Sequence, residues 1–148
     1  MRPGSLADID AIMTVMQNSF APEYGEKWNE VQCRSMLAMP GCRLLIAYQH
    51  EEACGFAISR SVLDEQELLL IAVHRNHVRN GVGTALLNVM VSEAKAVGVI
   101  TIFLEVRSEN SAIELYRQFG FQQIGARSGY YTGPTGRKYD AVTLRKML

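Results

Sequence analysis

The stretch that most limits how this chain can fold is Leu68-Leu69-Leu70-Ile71-Ala72-Val73, apolar at every position. A strand with two apolar faces is normally central in its sheet, with helices covering both sides. The run is far short of the roughly 18 apolar residues that a membrane span needs, and nothing else in the chain approaches that length. A loop over 74–80 leads into a helix predicted from Gly81 to Val97. Val82, Leu86, Val89, Met90 and Val97 form its apolar stripe, and Gly98 is a natural stop. Residues 99–106 read as a second strand. Strand, helix and strand in that order imply a parallel crossover pair.

Around this unit the pattern is mixed. Ser5-Leu6-Ala7-Asp8 has the spacing of a capping box, and Ile9, Ile12, Met13, Met16 and Phe20 then repeat at helical intervals. Pro22 and Gly25 break that helix, and a second is predicted from Lys27 to Met39, ended by Pro40-Gly41. Residues 42–49 and 54–60 read as strands, with Cys54, Phe56 and Ile58 on one face and the turn at Glu51-Glu52. Ser111 and Glu114 have capping-box spacing for a short helix. Its inner face carries Ala112, Leu115, Tyr116 and Phe119, and Gly120 closes it. Residues 122–130 and 138–147 read as a long hairpin. The expected architecture is a mixed sheet with helices on both faces, of α/β or α+β type.

A chain of 148 residues with 48% apolar and 20% charged side chains has the length and composition of one folded domain, expected over 1–148. No repeat or Pro/Gly/Ser linker divides it. Met1 to Ser5 lack the apolar stretch of a signal peptide. Fifteen basic and fifteen acidic residues cancel, which argues against a nucleic-acid binder driven by charge. Cys33, Cys42 and Cys54 are odd in number and form no C-x-x-C pair, so neither a fully paired disulfide framework nor a structural zinc site is expected. They read as three buried thiols of a cytoplasmic protein, with no metal and no membrane partner.

Chemistry concentrates in two places. Arg79-Asn80-Gly81-Val82-Gly83-Thr84 follows the buried strand and opens the long helix, where free N–H groups and the helix dipole favour an anion. No acidic residue occurs from Leu68 to Ser92, while His74, Arg75, His77 and Arg79 sit in the loop. The segment reads as a phosphate cradle; the competing reading is that small residues only let the helix pack against the sheet. A nucleoside-triphosphatase loop would need Lys where Gly83 stands, and a dinucleotide fingerprint would need glycine at Leu86. The second place is Phe103-Leu104-Glu105-Val106-Arg107, where period-two alternation puts Glu105 on the face of Phe103 and Arg107. At the end of a central strand Glu105 suits a general base, or a salt bridge to Arg107 or another arginine. Tyr116, on periodicity alone, is a core aromatic.

These residues together resemble the GNAT acetyltransferase superfamily: Leu70 to Val73, then Gly81-Val82-Gly83 with Ala85-Leu86-Leu87, then Leu104 to Arg107, then Leu115-Tyr116 with Gly120-Phe121. Leu-Glu-Val-Arg at 104–107, and Tyr130-Tyr131 followed by Gly136-Arg137 and Asp140-Ala141, are most similar to the RimI-type ribosomal-protein-alanine N-acetyltransferases. The resemblance implies a mostly antiparallel sheet with one parallel pair. It implies acetyl-CoA as donor and a protein N-terminal α-amine as acceptor, the alanine of a small-subunit ribosomal protein, with direct transfer in a ternary complex. It further implies that Ile71, Ala72 and Val73 hold the acyl and pantetheine end through main-chain bonds, and that Arg79, Asn80, Gly81, Val82, Gly83 and Thr84 hold the pyrophosphate. Glu105 is then the proton acceptor and Tyr116 the proton donor to the thiolate. Two positions depart from the family pattern. Val78 stands where Gln or Arg is usual, and the cofactor-contacting Asn is Asn110, six residues before Tyr116 instead of seven, with Glu109 at the usual place.

The acceptor side is the least diagnostic. Tyr130, Tyr131 and Tyr139 suit either a grip on an extended peptide or ordinary cross-strand packing. Glu23, Glu26 and Glu30 would attract a cationic acceptor or form a solvated face. The alternatives are an acetyltransferase for a small amine (a polyamine, aminoglycoside or amino acid) and a non-catalytic acyl-CoA-binding module. The three cysteines lie outside all the motif segments, which argues against a cysteine acyl-enzyme.

Overall fold

The computed structural model describes residues 1–19 and 28–148. Seven strands form one sheet: β1 (Arg2–Gly4), β2 (Cys42–Gln49), β3 (Glu52–Val62), β4 (Glu65–Val73), β5 (Thr101–Arg107), β6 (Gln122–Thr132) and β7 (Lys138–Met147). Their order is β1-β2-β3-β4-β5-β7-β6, and every neighbouring pair is antiparallel except β4–β5. The helices are α1 (Ile9–Gln17), α2 (Glu30–Leu37), α3 (Val82–Ala96) and α4 (Ala112–Gln118). α1 and α2 cover one face through Ile9, Ile12, Val15, Met16 and Cys33 against Ile46, Phe56 and Ile58. α3 and α4 cover the other through Leu86, Leu87, Met90, Ile113 and Tyr116.

The apolar run lies in the middle strand of seven, and the helix after it crosses to the parallel partner. Leu68, Leu70 and Ala72 are buried, whereas Leu69, Ile71 and Val73 are only half-buried. The strand is also bulged. Ser59 pairs with Leu68 and Ile58 with Leu70, which leaves Leu69 without an opposite residue on β3. One extra residue breaks the period-two alternation, so Leu68 joins the α3–α4 core while Leu70 joins the α1–α2 core. A second bulge sits where Ala47 pairs with Gly55 and Tyr48 with Ala53. It puts Cys54 in the core opposite to Phe56 and Ile58, instead of on their face.

Several local expectations change. The Ser5–Asp8 capping box forms, but it caps a 3-10 turn at Leu6–Asp8 that precedes α1. Phe20, Pro22, Gly25 and Lys27 lie outside the described residues. The described part of the second helix starts at Glu30, with Asn29 and Gln32 as its capping box. Ser111 makes no side-chain cap for α4; Asn110 does, accepting from the Ala112 N–H at 2.9 Å. Val97 falls past the end of α3 and is exposed. Cys33 and Cys54 are buried, but Cys42 is only partly so. Burial raises all three thiols above the usual cysteine value.

Gly55 sets how closely α3 approaches the sheet. A Cβ there would stand 2.7 Å from Val82 Cγ1 and 3.1 Å from the Ala72 carbonyl oxygen. The first turn of α3 therefore rests directly on β3, beside the end of β4. Gly55→Ala must lift that turn, and overpacking of this kind costs about 1–3 kcal/mol. Urea denaturation should show the loss as a lower midpoint with an unchanged slope.

Candidate active site

β4 and β5 pair for only four residues, from Glu65 opposite Thr101 to Leu68 opposite Leu104. Beyond Leu68 the bulged β4 follows β3 as far as Val73 opposite Gly55, while β5 follows β7 as far as Arg107 opposite Ala141. The two strands part, and a cleft of about 360 Å³ opens between them. Leu69 to Val73 form one wall and Glu105 to Arg107 the other, with Gly83, Asn110, Tyr116 and Tyr131 around them. Main-chain groups on the β5 side of residues 69–73 have no strand to pair with there.

The loop after β4 is tied down by several bonds. The Arg75 N–H and guanidinium donate to the main-chain and side-chain oxygens of Asn18 at the end of α1, each at 2.8 Å. His74 Nδ1 accepts from the Asn76 N–H, and His77 Nδ1 lies 2.9 Å from Gln49 Oε1. Arg79 and Gly81 both have positive φ, at 64° and 79°, and α3 starts immediately after. At Gly81 the left-handed backbone explains the glycine. At Gly83 packing does not require one: a Cβ would meet Leu115 Cδ2 at 3.5 Å, an ordinary contact. The first-turn N–H groups of α3 lack helical partners, and the turn holds no acidic residue. Of the expected cradle, Gly83 lines the cleft, together with Val78; Arg79, Asn80 and Thr84 are exposed beyond it.

Glu105 is 16% exposed, on the face opposite to Leu104 and Val106, and Arg127 Nε of β6 stands 3.0 Å from its Oε1. The salt bridge expected for Glu105 thus exists, with Arg127 instead of Arg107, which is buried at the cleft wall. The pairing depends on a large bulge. Arg127 is opposite Ala141 and Tyr131 opposite Tyr139, so three residues of β6 face Asp140 alone. Gly129 at the bulge has φ 62°, and its N–H donates to Asp140 Oδ1 at 2.9 Å. The bulge turns Tyr131 toward the cleft and leaves Tyr130 exposed beside it. The Tyr131 hydroxyl donates to the Glu105 carbonyl oxygen at 3.3 Å, and the Tyr130 phenol stands beside the Glu105 carboxylate. Burial first, and then the Glu105 charge, push the Tyr130 phenol above its usual value. Tyr116 is 4% exposed, stacked edge-on against Phe121 at 5.8 Å, yet it also lines the cleft. It is a core aromatic and a cleft residue at once.

The structure therefore gathers Ile71, Ala72, Val73, Gly83, Glu105, Asn110, Tyr116 and Tyr131 around one cleft, with Tyr130 beside Glu105. Asn110 takes the cleft position and Glu109 does not. Glu23 and Glu26 lie outside the described residues; Glu30 pairs with Arg34 on α2. Sequence reasoning missed Trp28 and Ser19 at the cleft, Arg127, and Glu67. Only Glu67 left a signal, immediately before the apolar run and so close to Glu105 across a parallel pair. Among the described residues no helix is long and apolar enough to cross a membrane, and no cluster of three metal-ligating side chains occurs.

The family model for the acetyltransferase (GNAT) family matches residues 9–121. A curated relative, the [ribosomal protein bS18]-alanine N-acetyltransferase of Haemophilus influenzae, is 38% identical over 96 residues, covering 65% of this chain and 66% of the relative. The match thus spans just under two thirds of that relative's length. The crystal structure of the ribosomal-protein-S18-alanine N-acetyltransferase from Escherichia coli superposes with a TM-score of 0.90 at 31% identity, covering 99% of this chain and 91% of that one. An N-acetyltransferase from Thermoplasma acidophilum, solved in complex with coenzyme A, shares the fold at 18% identity with a TM-score of 0.79, over 99% of this chain and 97% of that one.

Glu67 gives this site a pH signature. Burial, and then the neighbouring Glu105 charge, raise its carboxyl above the usual glutamate range. The folded protein holds that proton where the unfolded chain has already lost it. The resulting penalty is absent below the unfolded value, grows as pH rises, and is complete above the folded one. Glu67→Gln should therefore raise the melting temperature over the parent near about pH 7, and the gain should vanish toward about pH 4. Thermal melts at both pH values check this.

Proposed function

This chain belongs to the acetyltransferase (GNAT) family, and from that premise we propose that it is an enzyme that acetylates the α-amine of a protein N-terminus from acetyl-CoA. The acceptor proposed is the N-terminal alanine of a small-subunit ribosomal protein, as named for its relatives. The observation that carries the proposal is the parting of β4 and β5. It puts unpaired main chain, a helix N-terminus, a carboxylate and a phenol around one cleft.

The residues present fit the donor. Acetyl-CoA supplies a thioester acyl group when bound. Residues Arg79 to Thr84 would hold its pyrophosphate, where the first-turn N–H groups are unpaired and glycine at position 83 leaves space that packing does not claim. The main chain of Ile71, Ala72 and Val73 would hold the pantetheine and acyl end, with Asn110 facing the same space. An N–H near Val73 would stabilise negative charge on the acyl oxygen.

Glu105 accepts the proton that the attacking amine gives up, and the Tyr116 hydroxyl supplies the proton that the departing sulfur takes. The amine must be neutral to attack. With reference values of about 7.7–8.0 for an α-amine and about 10.4 for lysine, roughly a third of α-amines but about one lysine in a thousand are neutral near pH 7.5. An α-amine therefore needs only a modest base, and a partly exposed carboxylate such as Glu105 suffices.

Mass spectrometry of reactions with N-terminal peptides and free amines tests the acceptor. An unblocked peptide should gain one acetyl group at its α-nitrogen, and blocking that nitrogen should abolish transfer even with lysines free. Efficient acetylation of spermidine or an aminoglycoside, with none of peptides, would hand the site to a small amine.

Glu105→Gln should lower turnover by about a hundredfold at the acid end, where most amine is protonated, and by less at high pH. An unchanged pH–rate profile would remove Glu105 from the base role.

A further inference from the structure

Arg127 lies on β6 at the start of the bulge, and its guanidinium meets the Glu105 carboxylate from the solvent side. Arg127 is 60% exposed against 16% for Glu105, and its Cζ sits 5.2 Å over the Tyr130 ring. An ion pair this open is weak and easily exchanged. Glu105 does not depend on it for support. Tyr131 bonds its carbonyl oxygen, and its main chain is held opposite Thr143 in the β5–β7 ladder. The guanidinium carries the same charge as a protonated amine and already fills the place on Glu105 where such an amine would settle. Glu67 stands close enough to feel both Glu105 and Arg127, and it offers the displaced guanidinium a second carboxylate.

We propose that Arg127 is a specificity-determining counter-ion at the acceptor site, occupying the Glu105 carboxylate until a cationic acceptor amine displaces it. Exchange of one cation for another keeps the partly buried carboxylate paired throughout, so binding a cationic acceptor leaves no charge uncompensated. An acceptor without a positive charge cannot make the exchange. The inference rests on the reading of Glu105 as the group that faces the acceptor amine.

Steady-state kinetics with an unblocked N-terminal peptide tests it, using R127M, R127K and R127M combined with E105Q. R127M should lower the peptide KM about two- to fivefold, the range set by the strength of an exposed ion pair, with the change in KM rather than in kcat. R127K should restore the parent KM, and in the E105Q background R127M should give no gain. A peptide KM that stays the same or rises in R127M, or a fall in kcat alone, overturns the proposal and makes Arg127 a strut that orients Glu105. An equal gain in the E105Q background overturns it too. A parent enzyme that acetylates no peptide α-amine overturns instead the α-amine reading beneath it, a result separate from any behaviour of R127M.

Discussion

The shortness of the β4–β5 pairing is the constraint from which the rest of the site follows. Four parallel residue pairs bring the central strands together, and the unmatched Leu69 then commits β4 to its other neighbour. A bulge bends its strand and increases the local twist, so the two strands cannot stay paired to their ends. In a closed sheet the main-chain groups of residues 69–73 would be spent on a ladder. Here they face a cleft. Gly55 completes the arrangement by letting the first turn of α3 settle on β3 beside the end of β4. A strand end and a helix start are thus fixed next to one another by a bulge and a missing methyl group.

The two sides of the cleft are built differently. The β4–α3 side rests on two apolar cores and on loop bonds to Asn18, which suits a constant ligand held by main chain. The other side is the end of β5, supported by β6, an edge strand whose bulge is held by the Asp140 carboxylate on the Gly129 N–H. Its contacts to Glu105 come from side chains: a guanidinium and two phenols. Side chains on an edge strand can change without disturbing a core, whereas main chain beneath a helix cannot. A fixed side and an adaptable side follow from that difference.

What could be read from the residues was local. The apolar run marked the middle strand, the helix after Gly81 ends one residue before Val97, and the last strand spans residues 138–147 as expected. The elements that escaped depend on partners distant in sequence. β1 is three residues long and contains Pro3, too short for a periodic signal, and exists only because β2 pairs with it. The bulges are properties of two strands at once, so alternation alone placed Cys54 on the wrong face. For Glu105 the residues allowed a bridge to Arg107 or another arginine, and the fold chose Arg127, across β7 on another strand. Asn110 lost the capping position to Ser111 on spacing because both residue types cap well; the fold decided between them.

The four-residue pairing also has a mechanical meaning. Elsewhere neighbouring strands are joined by ladders that run nearly their full lengths, so each half of the sheet, β1–β4 and β5–β7–β6, behaves as a stiff plate. The plates are stitched along one short seam and bridged by α3. One continuous apolar core beneath α3 and α4 spans both plates, so the core and the seam together set the width of the cleft's mouth.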